Sequence, residues 1–333
     1  MAKLSVFVIS ASSLVCALSL CEPARTQQVS CTPVELPVNV ILPDGRLVRG
    51  LQRDHLVALA KKDRLKIESI TQDAGPRRIL FVLDTGRDLP SEARKSEVEV
   101  ASYILAQAPE ETSFALITAR GISMEVRFGE PRERLVAAIH QLSESAGSGP
   151  SERGGLDALS EGMGWFEKPQ PGDAIVAMIL EIENNKHTKY STVAGALADR
   201  HIRLFSFLLG PLMVGTAYFN MIEGAPGRPT INAPLVANEE NLSALTWNSG
   251  GYLVVENAKS EWRKYKLPDE HLEVLRHEGW QMYGAVAEFY RVLLVPPVRS
   301  SHHEGWSLEL AESTRKRVPQ AKVLYPRELP ACR

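Results

Sequence analysis

Residues 78–88 read Arg78-Ile79-Leu80-Phe81-Val82-Leu83-Asp84-Thr85-Gly86-Arg87-Asp88, a continuous apolar run that ends in a polar turn with two acidic residues. A strand without polar alternation is one buried on both faces. The stretch therefore predicts a central strand of a parallel sheet, with Asp84 delivered to the sheet's carboxyl edge. In open α/β sheets the functional crevice lies beyond those strand ends, so a site is expected to start at Asp84.

Outward from this strand, apolar strands alternate with helical patterns. Val98, Ala101, Ile104 and Leu105 recur at helical spacing within residues 91–107, just after Pro90-Ser91. Ser113–Thr118 predicts a second strand, with Ile122–Phe128 as its hairpin partner across Ala119-Arg120-Gly121. Pro131 starts a helix carrying Leu135, Ala138, Ile139 and Leu142. A Gly/Ser-rich loop at 145–155 precedes a short helix over Leu156–Phe166. Ala174–Leu180 repeats the apolar theme and runs into Glu181. A helix over 191–199, a strand over Ile202–Leu209, a long loop over 210–237, a helix over Glu239–Thr246 and a strand over Gly251–Val255 complete the set. This order predicts an α/β fold: a doubly wound, mostly parallel, Rossmann-like sheet with helices on both faces and an antiparallel edge.

The flanks have a different pattern. Val34, Leu36, Val38 and Val40 alternate at strand spacing, Pro43-Asp44-Gly45 supplies a turn, and Leu56–Leu59 and Leu65–Ile67 are short and strand-like. At the other end, residues 269–289 read as a helix, and Tyr290–Val295, Trp306–Leu310 and Ala321–Tyr325 as strands. The expected organisation is a leader over 1–26, a small β-rich segment over 27–77, the α/β domain over 78–256 and a helix-plus-strand extension over 257–333, paired with the N-terminal segment.

With 333 residues, 44% hydrophobic and 23% charged, the chain suffices for a large core. Its formal charge of -2 and pI near 6.5 supply no general attraction to nucleic acid or anionic lipid, and both are discounted as partners. The basic start Met-Ala-Lys, the apolar run Leu4–Leu20 and the polar exit that follows have the form of a secretory signal peptide. The run is short for a membrane span, so no span is expected after cleavage, and the mature chain is placed outside the cytoplasm, secreted or periplasmic. Export favours a disulfide between Cys31 and Cys332, at opposite ends of the mature chain, over two free thiols. Leu20 before Cys21 argues against lipoprotein processing.

Asp84 and Glu181, each closing a parallel strand, are expected on one sheet edge, with Asp88 in the same turn as Asp84. Oxygen-rich groups of this kind suit Mg²⁺, Mn²⁺ or Ca²⁺. His187, His201 and the His302-His303 pair lack zinc spacing, and neither a phosphate-binding glycine loop nor a nucleophile elbow is present. Trp280, Tyr283, Phe289 and Tyr290 read as packing rather than as a ligand platform.

The element order and the turn Leu-Asp-Thr-Gly-Arg-Asp resemble a von Willebrand factor A domain. The flanks Pro-Val-Asn-Val-Ile-Leu-Pro-Asp-Gly-Arg-Leu-Val-Arg-Gly-Leu and Ala-Glu-Phe-Tyr-Arg-Val-Leu-Leu-Val-Pro-Pro resemble those of exported bacterial proteins related to it. The resemblance implies a metal-ion-dependent adhesion site built from an Asp-x-Ser-x-Ser turn, a threonine and a later aspartate. Here Asp84 is kept, but Gly86 and Asp88 stand at the serine positions. The loop 151–157 has Ser151 as its nearest hydroxyl, and Glu181 takes the place of the later aspartate. Asp84, Asp88 and Glu181 are thus the candidate ligands of an altered or degenerate site for Mg²⁺ or Ca²⁺, and without a cation Arg87 is the expected neutralising group.

The loop 210–237 leaves the same edge and carries Tyr218, Phe219 and Met221 among other apolar residues, unusual for a solvated loop. The function expected is a non-enzymatic, adhesion-type protein-binding module that uses Asp84, Arg87, Tyr218, Phe219 and Met221. The alternatives are a metal-assisted hydrolase using Asp84 and Asp88, for which no nucleophile or base is evident, and a structural component of an envelope assembly.

Overall fold

A computed structural model describes residues 31–86, 91–144, 153–179, 187–210, 233–257, 269–296 and 306–329. The leader, Arg87, Asp88, Ser151, Glu181, Tyr218, Phe219, Met221, His302, His303 and Cys332 lie outside the described residues.

In chain order, the N-terminal segment supplies β1 (Val34–Ile41), a 3-10 turn (Arg53–His55), β2 (Leu56–Ala60), β3 (Asp63–Leu65) and β4 (Ile67–Asp73). The central region follows with β5 (Arg78–Asp84), α1 (Ser91–Gln107), β6 (Ser113–Ala119), β7 (Glu125–Val126), α2 (Arg132–Glu144), α3 (Gly155–Gly164), β8 (Ala174–Met178), α4 (Tyr190–Arg200), β9 (Arg203–Gly210), α5 (Ala233–Asn248) and β10 (Leu253–Asn257). The chain then continues through α6 (Asp269–Ala287), β11 (Phe289–Leu294), β12 (Trp306–Leu310), α7 (Glu312–Arg317) and β13 (Lys322–Leu324).

The central sheet has the order β10-β9-β8-β5-β6-β7 and is parallel except for the β6–β7 edge pair. Successive side chains of β5 enter different layers, as the two-residue period of a strand requires. Ile79, Phe81 and Leu83 pack in one apolar cluster with residues of α1, α2 and α6. Leu80 and Val82 pack in another with residues of α3, α4 and α5. The apolar run beginning at Ile79 is thereby explained, since both faces of the strand are covered.

The flanks pair with each other. One sheet runs β13-β1-β11-β4, in which strands from the two ends of the chain alternate, and a second runs β12-β2-β3, in which one C-terminal strand joins two N-terminal ones. They enclose a third apolar cluster containing Leu36, Val38, Leu56, Val292 and Leu308. Tyr290 is buried there and donates its hydroxyl to the Val48 carbonyl at 2.8 Å. Trp306 donates its indole N–H to Pro326 at 2.9 Å. Phe289 and Tyr290 are buried as packing residues, whereas Trp280 remains 40% exposed and stacks on His277.

Several elements differ from the sequence expectation. The strand expected over 65–67 is broken at Lys66 between β3 and β4. The hairpin partner of β6 shrinks to two residues because the turn between them consumes Arg120 to Met124. Ala233 to Ala237, assigned to the long loop, are the first turns of α5. Helix α7 was not anticipated, since its sequence Glu-Ser-Thr-Arg-Lys-Arg carries no apolar stripe and buries Thr314 alone.

The amino edge of the central sheet is joined to the flanking sheets by buried arginines. Arg203, at the start of β9, is fully buried and donates to Asn39 Oδ1 at 2.6 Å, to the Ala285 carbonyl at 3.0 Å and to the Val286 carbonyl at 3.1 Å. Arg77 reaches the Ala287 carbonyl at 2.8 Å and pairs with Asp73 at 2.8 Å. Both guanidiniums lie 4.5 Å from the ring centre of Phe289. The last carbonyls of a helix have no partner within it and carry partial negative charge, so two cations at the end of α6 satisfy both needs. Burial, with Arg77 nearby, lowers the Arg203 pKa to about 9, which leaves it charged at neutral pH.

Replacing Arg203 with alanine removes the side-chain donor from the Ala285 carbonyl and from Asn39 Oδ1, while the Val286 carbonyl keeps Arg77 Nε at 3.2 Å. Urea unfolding is expected to show a loss of about 3 kcal/mol or more. A loss under about 0.5 kcal/mol would show that water replaces the guanidinium without penalty.

Candidate functional site

Parallel pairing carries β5 to Asp84 and β6 to Ala119, with these two residues in register. The turns that follow, 84–86 and 119–122, therefore meet above the sheet. The Asp84 side chain is fully buried, and its Oδ1 accepts the Gly86 N–H at 2.9 Å, the short-range turn that aspartate favours.

The partner of Asp84 is Arg120. Its Nε lies 2.9 Å from Oδ1 and 3.1 Å from Oδ2, and its Nη2 lies 2.6 Å from Oδ2. Such a planar fork on a carboxylate is among the stronger charge-assisted pairings. The Arg120 side chain is 14% exposed, so the pair is largely withdrawn from solvent. Among the described residues a cation opposite Asp84 thus comes from the next strand's turn; Arg87, the expected neutralising group, lies outside the described residues.

The backbone of that turn is held in a less favoured conformation. Arg120 has φ +52° and Gly121 has φ +53°. A β-carbon on Gly121 would lie 1.8 Å from the Thr85 carbonyl oxygen. Thr85 fixes the turn from below, with Oγ1 donating to the Arg120 carbonyl at 2.6 Å and accepting the Ile122 N–H at 2.8 Å. Arg120 N–H also donates to the Arg153 carbonyl at 2.8 Å, which ties in the entry to α3. Arg153 in turn pairs with Glu125, and its Nε lies 3.1 Å from Glu161. A left-handed arginine held by this many contacts is a position where the surroundings impose the backbone.

Helix α1 supplies the inner wall. Glu97 is buried and accepts the Asp84 backbone N–H, and Arg94 is buried and donates to the Gly86 carbonyl at 3.3 Å. Burial, reinforced by the charge of Asp84, raises the Glu97 carboxyl well above the ordinary range, while Arg94 and Arg120 oppose the shift. These residues carried no motif in the sequence. The available signal was a glutamate and an arginine at the start of a helix with apolar neighbours.

Among the described residues the oxygen donors around Asp84 are already engaged. Both Asp84 oxygens are engaged by Arg120, Gly86 has no hydroxyl, and the Thr85 hydroxyl is turned into the 119–122 turn. No group of three or more histidine, cysteine or acidic residues positioned to hold a metal occurs among the described residues. No described helix is long and apolar enough to cross a membrane. Of the candidate ligand, partner-binding and disulfide residues named from the sequence, Asp84 and Cys31 are described, and both are buried.

No protein-family model matches the chain, and no curated protein matches it. Several solved structures are similar. Proximal thread matrix protein 1 from the mussel byssus is 11% identical, with 68% of this chain and 51% of that chain covered at a TM-score of 0.45. The conserved hypothetical protein BatB from Bacteroides thetaiotaomicron is 14% identical, with coverages of 62% and 98% and a TM-score of 0.40. A von Willebrand factor type A protein from Catenulispora acidiphila is 12% identical, with coverages of 67% and 52% and a TM-score of 0.34. The chain thus spans about half the length of the first and third of these.

Gly121→Ala is expected to lower stability by about 2 kcal/mol or more, because it adds both strain and a collision with backbone; a thermal melt matching the parent would mean that the turn relaxes freely. Glu97 gives a pH-dependent expectation. Above the ordinary glutamate value of 4.5, the folded protein keeps a proton that the unfolded chain has released, so this group's contribution to stability falls as pH rises. The Tm of Glu97→Gln relative to the parent should therefore rise between about pH 5 and pH 8, and parallel melting curves across that range would show that Glu97 is ionised in the fold.

Proposed function

We propose that the chain is an exported, non-enzymatic protein-binding module of von Willebrand A type, acting through the carboxyl edge of its central sheet without a metal ion. The Arg120 fork on Asp84 carries this reading. A metal-dependent adhesion site needs a carboxylate with lone pairs directed at the ion, whereas the Asp84 oxygens already accept from Arg120 and Gly86. The same geometry disfavours the metal-assisted hydrolase, because Asp84 is poorly placed to serve as a base or a ligand while it is paired. Asp88 and Glu181 then act as acidic surface groups of the edge rather than as ligands.

Partner contact is assigned to Arg87, Tyr218, Phe219 and Met221, with Asp84 in a supporting role. Cleavage of the leader near residue 26 and a Cys31–Cys332 closure complete the mature chain. The burial of Cys31 supports that closure.

Two measurements test the reading. Calorimetric titration of the mature protein with Mg²⁺, Mn²⁺ and Ca²⁺ is expected to show no micromolar binding, and partner capture from an envelope fraction should be the same in EDTA as in Mg²⁺. The triple change Arg87→Glu, Tyr218→Ser, Phe219→Ser should abolish that capture. Metal binding that disappears in Asp84→Ala, or capture indifferent to the triple change, would overturn the proposal.

A further inference from the structure

A second candidate binding surface lies on the flanking sheets and is independent of the edge near Asp84. An open cleft of about 430 Å³ runs beside β3, with Leu56, Ala58, Leu65 and Ile67 along its floor and Arg53 and Arg64 at its rim. The four floor residues are buried and both arginines are exposed. This volume falls within the range of ligand-binding clefts, which combine an apolar lining with a few polar groups.

The charge at the rim is unbalanced. Lys66 also borders the cleft but is held by Glu68 at 3.0 Å, and Asp54 is the one carboxylate in the lining against the two arginines. Arg53 and Arg64 form no ion pair among the described residues, so two guanidiniums stand over an apolar floor without a counter-ion. The backbone adds a third observation. β3 is the last strand in the order β12-β2-β3, so one of its edges has no strand partner among the described residues. An edge strand presents a row of N–H and C=O groups to which an extended segment adds.

We propose that this cleft binds an extended acidic peptide segment, which adds to β3 as a further strand. Alternate side chains of such a segment point to opposite faces. One set places apolar groups toward Leu65 and Ile67, on the apolar side of the cleft. The other carries carboxylates to Arg53 and Arg64, each able to accept a charge-assisted fork. The open shape of the cleft suits a strand laid across it.

The probe is a fluorescein-labelled peptide of alternating glutamate and valine, about eight residues long, a length that spans a typical strand. Fluorescence anisotropy with the full mature chain should show saturable binding in the micromolar range. Arg53→Glu with Arg64→Glu should weaken it at least about tenfold while leaving the melting temperature unchanged, because both side chains are exposed. The same peptide with N-methyl groups at alternate positions should fail to bind, which separates strand addition from simple charge attraction. Absent binding, equal binding of a lysine–valine peptide, indifference to the charge reversal, or equal binding of the N-methylated peptide would each overturn the proposal. Capture of phosphatidylglycerol vesicles with no capture of the peptide would overturn it in favour of an anionic membrane surface.

Discussion

Burial of β5 on both faces is the constraint from which the rest of the structure follows. A strand with apolar side chains in both directions is stable only if each face is covered, and two separate helical layers meet that need around Phe81 and Val82. The neighbouring strands β6 and β8 complete its hydrogen bonding on either side. The same strand ends in an ionisable residue, so Asp84 is carried into an environment that penalises an unpaired charge. Arg120 resolves that conflict from the adjacent turn. The tight backbone at Arg120 and Gly121, the bracing by Thr85 and the link to Arg153 all act to keep a guanidinium in one place.

The amino edge of the sheet obeys the same rule, again with arginines as the donors. There the unsatisfied groups are the carbonyls that end α6, and the buried cations are Arg77 and Arg203. Because Asn39 belongs to β1 and Phe289 to β11, these contacts couple the central sheet to strands from both ends of the chain. The carboxyl edge closes a carboxylate with an arginine, and the amino edge closes carbonyls with arginines. The proposed functions follow this division: the carboxyl edge contributes a rigid, metal-independent surface, and the flanking sheets contribute an exposed strand edge.

Much of the architecture was legible in the chain. Helix α1 begins at Ser91, one residue after Pro90, and β1 follows the alternation of Leu36, Val38 and Val40, because periodicity is a local property of the polypeptide. The pairing of the flanks followed from their matching strand patterns. Local signals failed where structure depends on a distant partner. The β6–β7 turn consumed residues that looked like strand, and the polar helix α7 offered no stripe to detect. At the site, Asp84 was legible because it closes an apolar run, whereas Arg120, Arg94 and Glu97 belong to no motif, and Arg94 and Glu97 offer only their place early in a helix among apolar neighbours.

By itself, then, the sequence determined which segments are strands and helices, which strand is central and where a carboxylate meets the sheet edge. These are matters of hydrophobic period and chain order, encoded within a few residues. Only the tertiary structure decided what faces that carboxylate. Asp84 and Arg120 stand 36 positions apart, and their meeting depends on the register of two parallel strands and a left-handed turn, which no local pattern specifies. Among the described residues that encounter is a closed ion pair, in which a guanidinium fork occupies oxygen lone pairs that a metal ion would also use.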